Sequence, residues 1–177
     1  MQLQLLPLNM APNEPQTTTP ARLTEHELTA WRGMLEAHAH VTHQLDAQMH
    51  AAHGLSLSAY EVLMFLSDGP GHRMRMSDIA QQVLLSRSGC TRLVDRLVKL
   101  GYVTRCADAS DGRGLYAELT EAGLLKARAA RRTHLEGVRR FFLDHITATD
   151  QIALSDIWTR FGQAVRTGLG RRELGDR

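Results

Sequence analysis

Long hydrophobic runs are missing from this 177-residue chain, and no stretch approaches the length that crosses a bilayer as a helix. Cysteine is scarce. The two present, Cys90 and Cys106, stand in no metal-type spacing and exclude a disulfide scaffold; they fit a reducing, cytoplasmic setting. Proline is scarce too, and four of the five fall within Met1–Pro20 beside three consecutive threonines, so regular structure is not expected there. That N-terminal stretch is apolar in part but has no basic leading region, and it reads as a flexible tail rather than a signal peptide. Acidic and basic residues nearly balance, 19 against 21, and a formal net charge of +2 does not by itself argue for a polyanionic partner. Gly-rich phosphate loops, strained nucleophile turns and paired carboxylates at strand ends are all lacking. His134 with Glu136 or Asp144 is the remaining general-base pairing, and alone it does not make an enzyme.

What is present is 43% apolar residues, enough for a core, and one stretch around which the rest is organised, Ser86 to Gly123. Cys90, Leu93, Val94, Leu97 and Val98 recur at helical spacing and define an inward face. Arg87, Ser88, Thr91, Arg92, Asp95, Arg96 and Lys99 occupy the other face, which is polar and mostly basic. Ser86 suits the N-cap and Gly101 the residue past the C-terminus. Tyr102 to Cys106 and Leu115 to Leu119 then read as a hairpin whose tip is Asp111, Gly112, Arg113 and Gly114. An arginine at a narrow tip beside a basic helix suits a nucleic-acid groove and its phosphates. Positive charge gathers here: Arg87, Arg92, Arg96, Lys99, Arg105 and Arg113 outnumber Asp95, Asp108 and Asp111. The competing reading is a solvated helix face with Asp95 and Lys99 paired at i, i+4.

The run SRSGCTRLVDRLVKLGYVTR, followed by DASDGRG and LTEAG, resembles the winged helix-turn-helix of the MarR family of transcription regulators. The pattern extends from about Leu28 to Leu169. Gly89 inside the helix and Cys90 on its inner face depart from the family's usual residues. The resemblance implies that the helix enters the major groove, that Arg113 reaches the minor groove, and that Asp111 orients the wing. It also implies a homodimer, more often a repressor, released from its operator by a small organic ligand, with no cofactor.

Outside that stretch, Leu28 to Ala52 reads as a helix with a heptad-like seam of Leu28, Trp31, Leu35, His38, Thr42, Leu45, Met49 and Ala52. His38 and Thr42 interrupt it. Either they satisfy each other or a neighbouring carbonyl, or they line a ligand pocket with Trp31 and Tyr60. Ser58 and Glu61 form an apparent capping box for a scaffold helix, and His72 to Arg75 a brief strand paired with the wing. Ser77 is expected to cap a helix with Ile79, Ala80, Val83 and Leu84 inward. Thr120 opens a long helix to about His145 with Leu124, Leu125, Leu135, Val138, Phe141 and Phe142 as its apolar surface. Thr147 and Asp150 box the start of a last helix carrying Leu154, Ile157, Trp158, Phe161 and Val165.

The expected fold is therefore mainly α with a small β-hairpin wing: a winged helix-turn-helix lobe at 58–120 and a helical dimerisation layer from 23–57 and 121–170. Tails at 1–22 and 171–177 complete the chain. DNA contacts are expected from Ser77, Ser86, Arg87, Ser88, Thr91, Arg92, Arg96, Arg105 and Arg113 on an inverted-repeat operator. Two other sensing chemistries compete with the organic ligand. Asp46, His50 and His53, with His43 one turn earlier, share a helix face that could hold zinc. Cys106, beside Arg105, is the more reactive candidate for a redox-sensing thiol, since Cys90 faces inward.

Overall fold

The structure, a computed structural model, describes residues 22–107 and 115–173, with side chains through Val165. The N-terminal tail through Ala21, the wing tip Asp111 to Gly114 and the last four residues lie outside the described residues. Among the described residues six α-helices and three strands follow in the order α1 (Glu25–His53), α2 (Leu57–Asp68), β1 (Arg73–Arg75), α3 (Met76–Gln82), α4 (Arg87–Lys99), β2 (Val103–Ala107), β3 (Leu115–Leu119), α5 (Glu121–Phe141) and α6 (Ala148–Glu173). By its internal contacts the chain separates into residues through Glu36 and a larger unit from Ala37 onward.

Helix α1 begins three residues earlier than its apolar spacing predicts. Glu27 accepts from the backbone N–H and hydroxyl of Thr24 at 2.7 and 2.9 Å, and Thr24 Oγ1 accepts from Glu27 N in return, a capping box. In the larger unit, Leu45 and Met49 carry the seam into the core.

Helix α2 is capped by Ser56, not Ser58. Ser56 has extended backbone and its Oγ accepts from Ala59 N at 3.2 Å, while Ser58 sits inside the first turn. The reason is tertiary: Asp46 Oδ1, reaching from α1, takes the Leu57 N–H at 2.8 Å and fixes where the helix starts. Ser77 likewise is not the cap of α3. Arg75 holds that position with no side-chain hydrogen bond to the helix's first turn, and Ser77 donates to Asp78 Oδ1. Nor does Leu84 point inward; α3 has ended, helical periodicity no longer applies, and Leu85 takes the place against the core.

The lobe core gathers Val62, Leu63 and Leu66 of α2, Ile79 of α3, Cys90, Leu93, Val94 and Leu97 of α4, and Val103 and Ala117 of the sheet. Leu55 and Ala127 join it from beyond the expected lobe boundaries. Val98, expected inward, is 37% exposed because helical geometry puts it at the edge of the face that Cys90, Leu93, Val94 and Leu97 bury. Gly101, with φ of +75°, ends that helix as expected, in a conformation that glycine adopts without a Cβ clash. The sheet order is β1-β3-β2, antiparallel throughout, with Arg73 opposite Glu118 and Cys106 opposite Tyr116. The expected brief strand is thus the wing's partner.

Helix α5 buries its small residues and leaves large apolar ones outside, as an apolar surface too large for one lobe to cover requires. Its buried residues are Gly123, Ala127, Ala130 and Gly137, whereas Leu125 and Leu135 are largely exposed. Close packing explains why small residues are the buried ones, because a Cβ on Gly137 would collide with Gln48 and Leu45 of α1, and only small residues allow that approach. The helix ends at Phe141, and Leu143–His145 forms a separate short 3-10 turn. Thr147 and Asp150 then cap α6 reciprocally as the sequence predicts, at 2.6 to 3.2 Å. α6 extends to Glu173, past the expected limit at 170.

Candidate nucleic-acid interface

Helix α4 has two unlike faces. Cys90, Leu93, Val94 and Leu97 are buried in the lobe, and Ser86, Arg87, Ser88, Thr91, Arg92, Arg96 and Lys99 are exposed. Ser86 anchors the helix start: its Oγ accepts from Gly89 N at 3.1 Å and lies 3.3 Å from Ser88 Oγ. Gly89 thereby occupies the third helical position, where its N–H is capped, and an added Cβ would press on Ser86 Oγ at 3.2 Å. Thr91 donates its hydroxyl to the Arg87 carbonyl at 2.9 Å, which leaves the guanidinium groups of Arg87, Arg92 and Arg96 to define the outward chemistry. Ser77 is exposed at the first turn of α3, the helix before.

Arg105 is placed differently from the other predicted contacts. Its guanidinium forms an ion pair with Asp95 at 3.0 Å and donates to the Thr91 carbonyl at 3.3 Å, tying strand β2 to the side of α4. Asp95 is therefore engaged across elements instead of along its own helix. On the outer face of the sheet, Arg73 and Arg75 lie over the Tyr116 ring at 5.4 and 5.2 Å, and Arg75 Nε donates to the Tyr116 hydroxyl at 2.9 Å. Sequence reasoning missed this basic cluster. The alternation of arginines in RMR was its only signal, since both fall on one face of a strand.

A buried-faced helix preceded by a short helix and a turn, flanked by a three-stranded sheet, has counterparts among known proteins. A family model described as MarR family matches residues 53–114. The crystal structure of AbsC, a MarR family transcriptional regulator from Streptomyces coelicolor, is 36% identical, covers 83% of this chain and 99% of its own, and superposes with a TM-score of 0.76. The chain belongs to the MarR family. Sco3205, a MarR family transcriptional regulator from the same organism solved in complex with DNA, is 31% identical with a TM-score of 0.77, over 83% of this chain and 92% of its own. The curated relative HTH-type transcriptional regulator PrsX of Escherichia coli is 30% identical over 107 residues, 60% of this chain. The match spans 55% of PrsX, so the chain covers a little over half the length of that relative.

Within this MarR family fold, the other predicted residues fall as follows. Arg113 lies outside the described residues. Tyr60 is buried at 1% exposure; its hydroxyl donates to Met64 Sδ and its ring lies 4.7 Å from that of His134. Burial raises the Tyr60 pKa and lowers that of His134, favouring the neutral imidazole against the Tyr60 ring. Its Nδ1, like Gln48 Oε1, is buried with no hydrogen-bond partner among the described residues. Thr42 donates to the His38 carbonyl at 2.7 Å, the local satisfaction that its sequence position allows, while His38 and Trp31 are exposed.

The histidine face of α1 is put to other uses. Asp46 accepts from Leu57 N at the start of α2, His50 Nε2 lies 3.9 Å from the other Asp46 oxygen, and His53 Nε2 bonds Thr133 Oγ1 at 2.8 Å. Among the described residues no three metal-ligating side chains converge. Both thiols are pushed above the ordinary cysteine range, Cys90 by burial and Cys106 by burial and by Glu118, whose carboxylate accepts from Sγ at 3.4 Å. That environment suppresses thiolate chemistry at either site. Among the described residues no helix is long and apolar enough to cross a membrane.

Proposed function

We propose that the protein is a homodimeric, sequence-specific DNA-binding transcription regulator acting as a repressor in the cytoplasm. The observation that carries this reading is the exposed Arg87, Ser88, Thr91, Arg92 and Arg96 surface on a helix whose opposite face is locked into the lobe. The relative Sco3205, solved with DNA, supports it. The helix enters the major groove, where its N-terminal half meets base edges, and the wing arginine Arg113 takes the minor groove or its phosphates. Arg105 acts as a positioning residue that holds the wing against the helix.

Dimerisation is supported by the apolar residues that a single chain leaves exposed: Ile152, Ile157, Trp158, Phe161 and Val165 on α6, and Trp31 and Leu35 on α1. A two-fold dimer presents two recognition helices to half-sites about one DNA turn, ~34 Å, apart, which gives an inverted-repeat operator.

Arg92 and Arg113 test the DNA reading because their losses differ in kind. Arg92→Ala is expected to cost ~1 to 3 kcal/mol on the operator and to relax preference at one symmetric base-pair position, with much less effect on random duplex. Arg113→Ala is expected to weaken operator and scrambled duplex alike and to reduce the slope of log K against log salt by about 1 per lost contact in each subunit. Fluorescence anisotropy across a salt series measures both. Unchanged affinity in both variants would remove the winged-helix mechanism.

Release by a small aromatic or anionic ligand is the regulatory part of the proposal, with His38, Thr42 and Tyr60 of the larger unit as the pocket group. A coupling of ~1 to 3 kcal/mol suffices if the ligand prefers a dimer whose helices are misspaced for the operator. His38→Leu is expected to leave operator binding in place and to blunt release in a mobility-shift titration with aromatic acids. Full effector response in that variant would return His38 to a structural role.

A further inference from the structure

We propose that Leu84 is a DNA-contact residue, an apolar side chain seated against the deoxyribose carbons of the backbone where the recognition helix α4 begins. The inference rests on the DNA-binding reading above and adds to it a residue with no charge and no hydrogen-bonding group. Leu84 stands in the turn between α3 and α4 with φ of +52°, in the left-handed region that side chains with a Cβ disfavour and that glycine or asparagine adopts readily. It is also 91% exposed, the highest value among the exposed large apolar residues described. For the free protein both properties are unfavourable, and a glycine would remove both at once.

The turn is not loose. Val83 N donates to Ile79 O at 3.0 Å, Leu84 N to Gln81 O at 3.3 Å and Leu85 N to Ala80 O at 3.0 Å, and the flanking Val83 and Leu85 pack on the lobe core. Leu84 is thus held outward, two residues before the Ser86 cap, by structure on both sides. Strain fixed by its surroundings is a mark of a functional position. The neighbourhood identifies the partner. Gln81, Gln82, Ser86, Arg87 and Ser88, which flank it in sequence, are exposed and polar or basic, so among these described neighbours Leu84 is the one exposed apolar side chain, a pattern that suits a nucleic-acid backbone better than an apolar protein partner. The DNA backbone has the matching pattern, an apolar sugar between two anionic phosphates.

The test uses the intact chain and two variants, Leu84→Gly and Leu84→Asn, both suited to the positive φ. Each is expected to keep the dimer and a thermal midpoint equal to or above that of the unmodified chain. Each is expected to raise Kd about tenfold for the dimer, on operator and scrambled duplex alike, from the apolar area left uncovered. The salt slope stays unchanged, since no counterion-releasing contact is lost. Leu84→Met, which keeps the apolar volume, retains affinity. Unchanged Kd in the Gly and Asn variants overturns the proposal, as does a loss confined to one sequence or matched by loss of the dimer. Failure of the unmodified chain to bind any duplex is a different result, one that overturns the DNA-binding reading itself.

Discussion

A chain ended after Asp144 is expected to be a folded monomer that has lost operator affinity by roughly 100-fold or more, because the two half-sites no longer bind as one unit. The deletion takes away α6, with Ile152, Ile157, Trp158, Phe161 and Val165 all at least 41% exposed in the single chain. Covering such side chains on a partner contributes about 1.5 to 3 kcal/mol for each one fully buried, so their loss removes several kcal/mol of association energy. Folding of the lobe should survive. Among the described residues, the buried apolar core ends at Ala130, well before the cut. Light scattering would read the mass and a thermal melt the fold. A truncated chain that remained dimeric and bound the operator normally would assign the dimer to some other surface.

The largest expected effect on stability comes from a substitution that helix propensity alone would favour. Gly123→Ala replaces a helical glycine, a change worth up to ~1 kcal/mol in an open helix. Here the added Cβ would collide with the Tyr102 carbonyl oxygen and lie 2.9 Å from Leu119 Cδ2. That carbonyl already accepts from Thr120 N at 3.1 Å, and Thr120 in turn caps α5 and donates to Gly101 O at 2.7 Å, so the backbone has little freedom to move away. Sterics outweigh propensity, and a destabilisation of about 3 kcal/mol is expected, a fall of roughly 6 to 12 °C in Tm. Gly33→Ala is the control. Nothing lies within 4 Å of its Cβ position in α1, and it should hold or slightly raise Tm. Equal Tm for the two variants would contradict the packing described for α5.

The recognition helix was legible because one element carried its own evidence. Its inward face, its Ser86 cap and its Gly101 terminator all follow from spacing and backbone chemistry within one short stretch of chain. The misreadings arose where a partner from elsewhere in the chain decides. Asp46 moves the α2 cap to Ser56. Helix α5 carries a second, less legible face. Hydrophobicity singles out Leu125 and Leu135, but close helix packing buries glycine and alanine and leaves those leucines outside. Gly123 and Gly137 were the available signal, since a glycine inside a helical pattern marks close approach. Thr24 and Glu27 offered a capping box that apolar spacing alone passed over.

The central claim is that α4, paired across a dimer, reads a duplex. A titration of the intact chain against its own upstream DNA and a scrambled duplex, at physiological salt and with stoichiometry determined, tests it most directly. Two chains per site are predicted, with the upstream duplex bound at least 10³-fold more tightly than the scrambled one, as is usual for specific regulators. Equal affinity for both duplexes, or no binding to either, would contradict it.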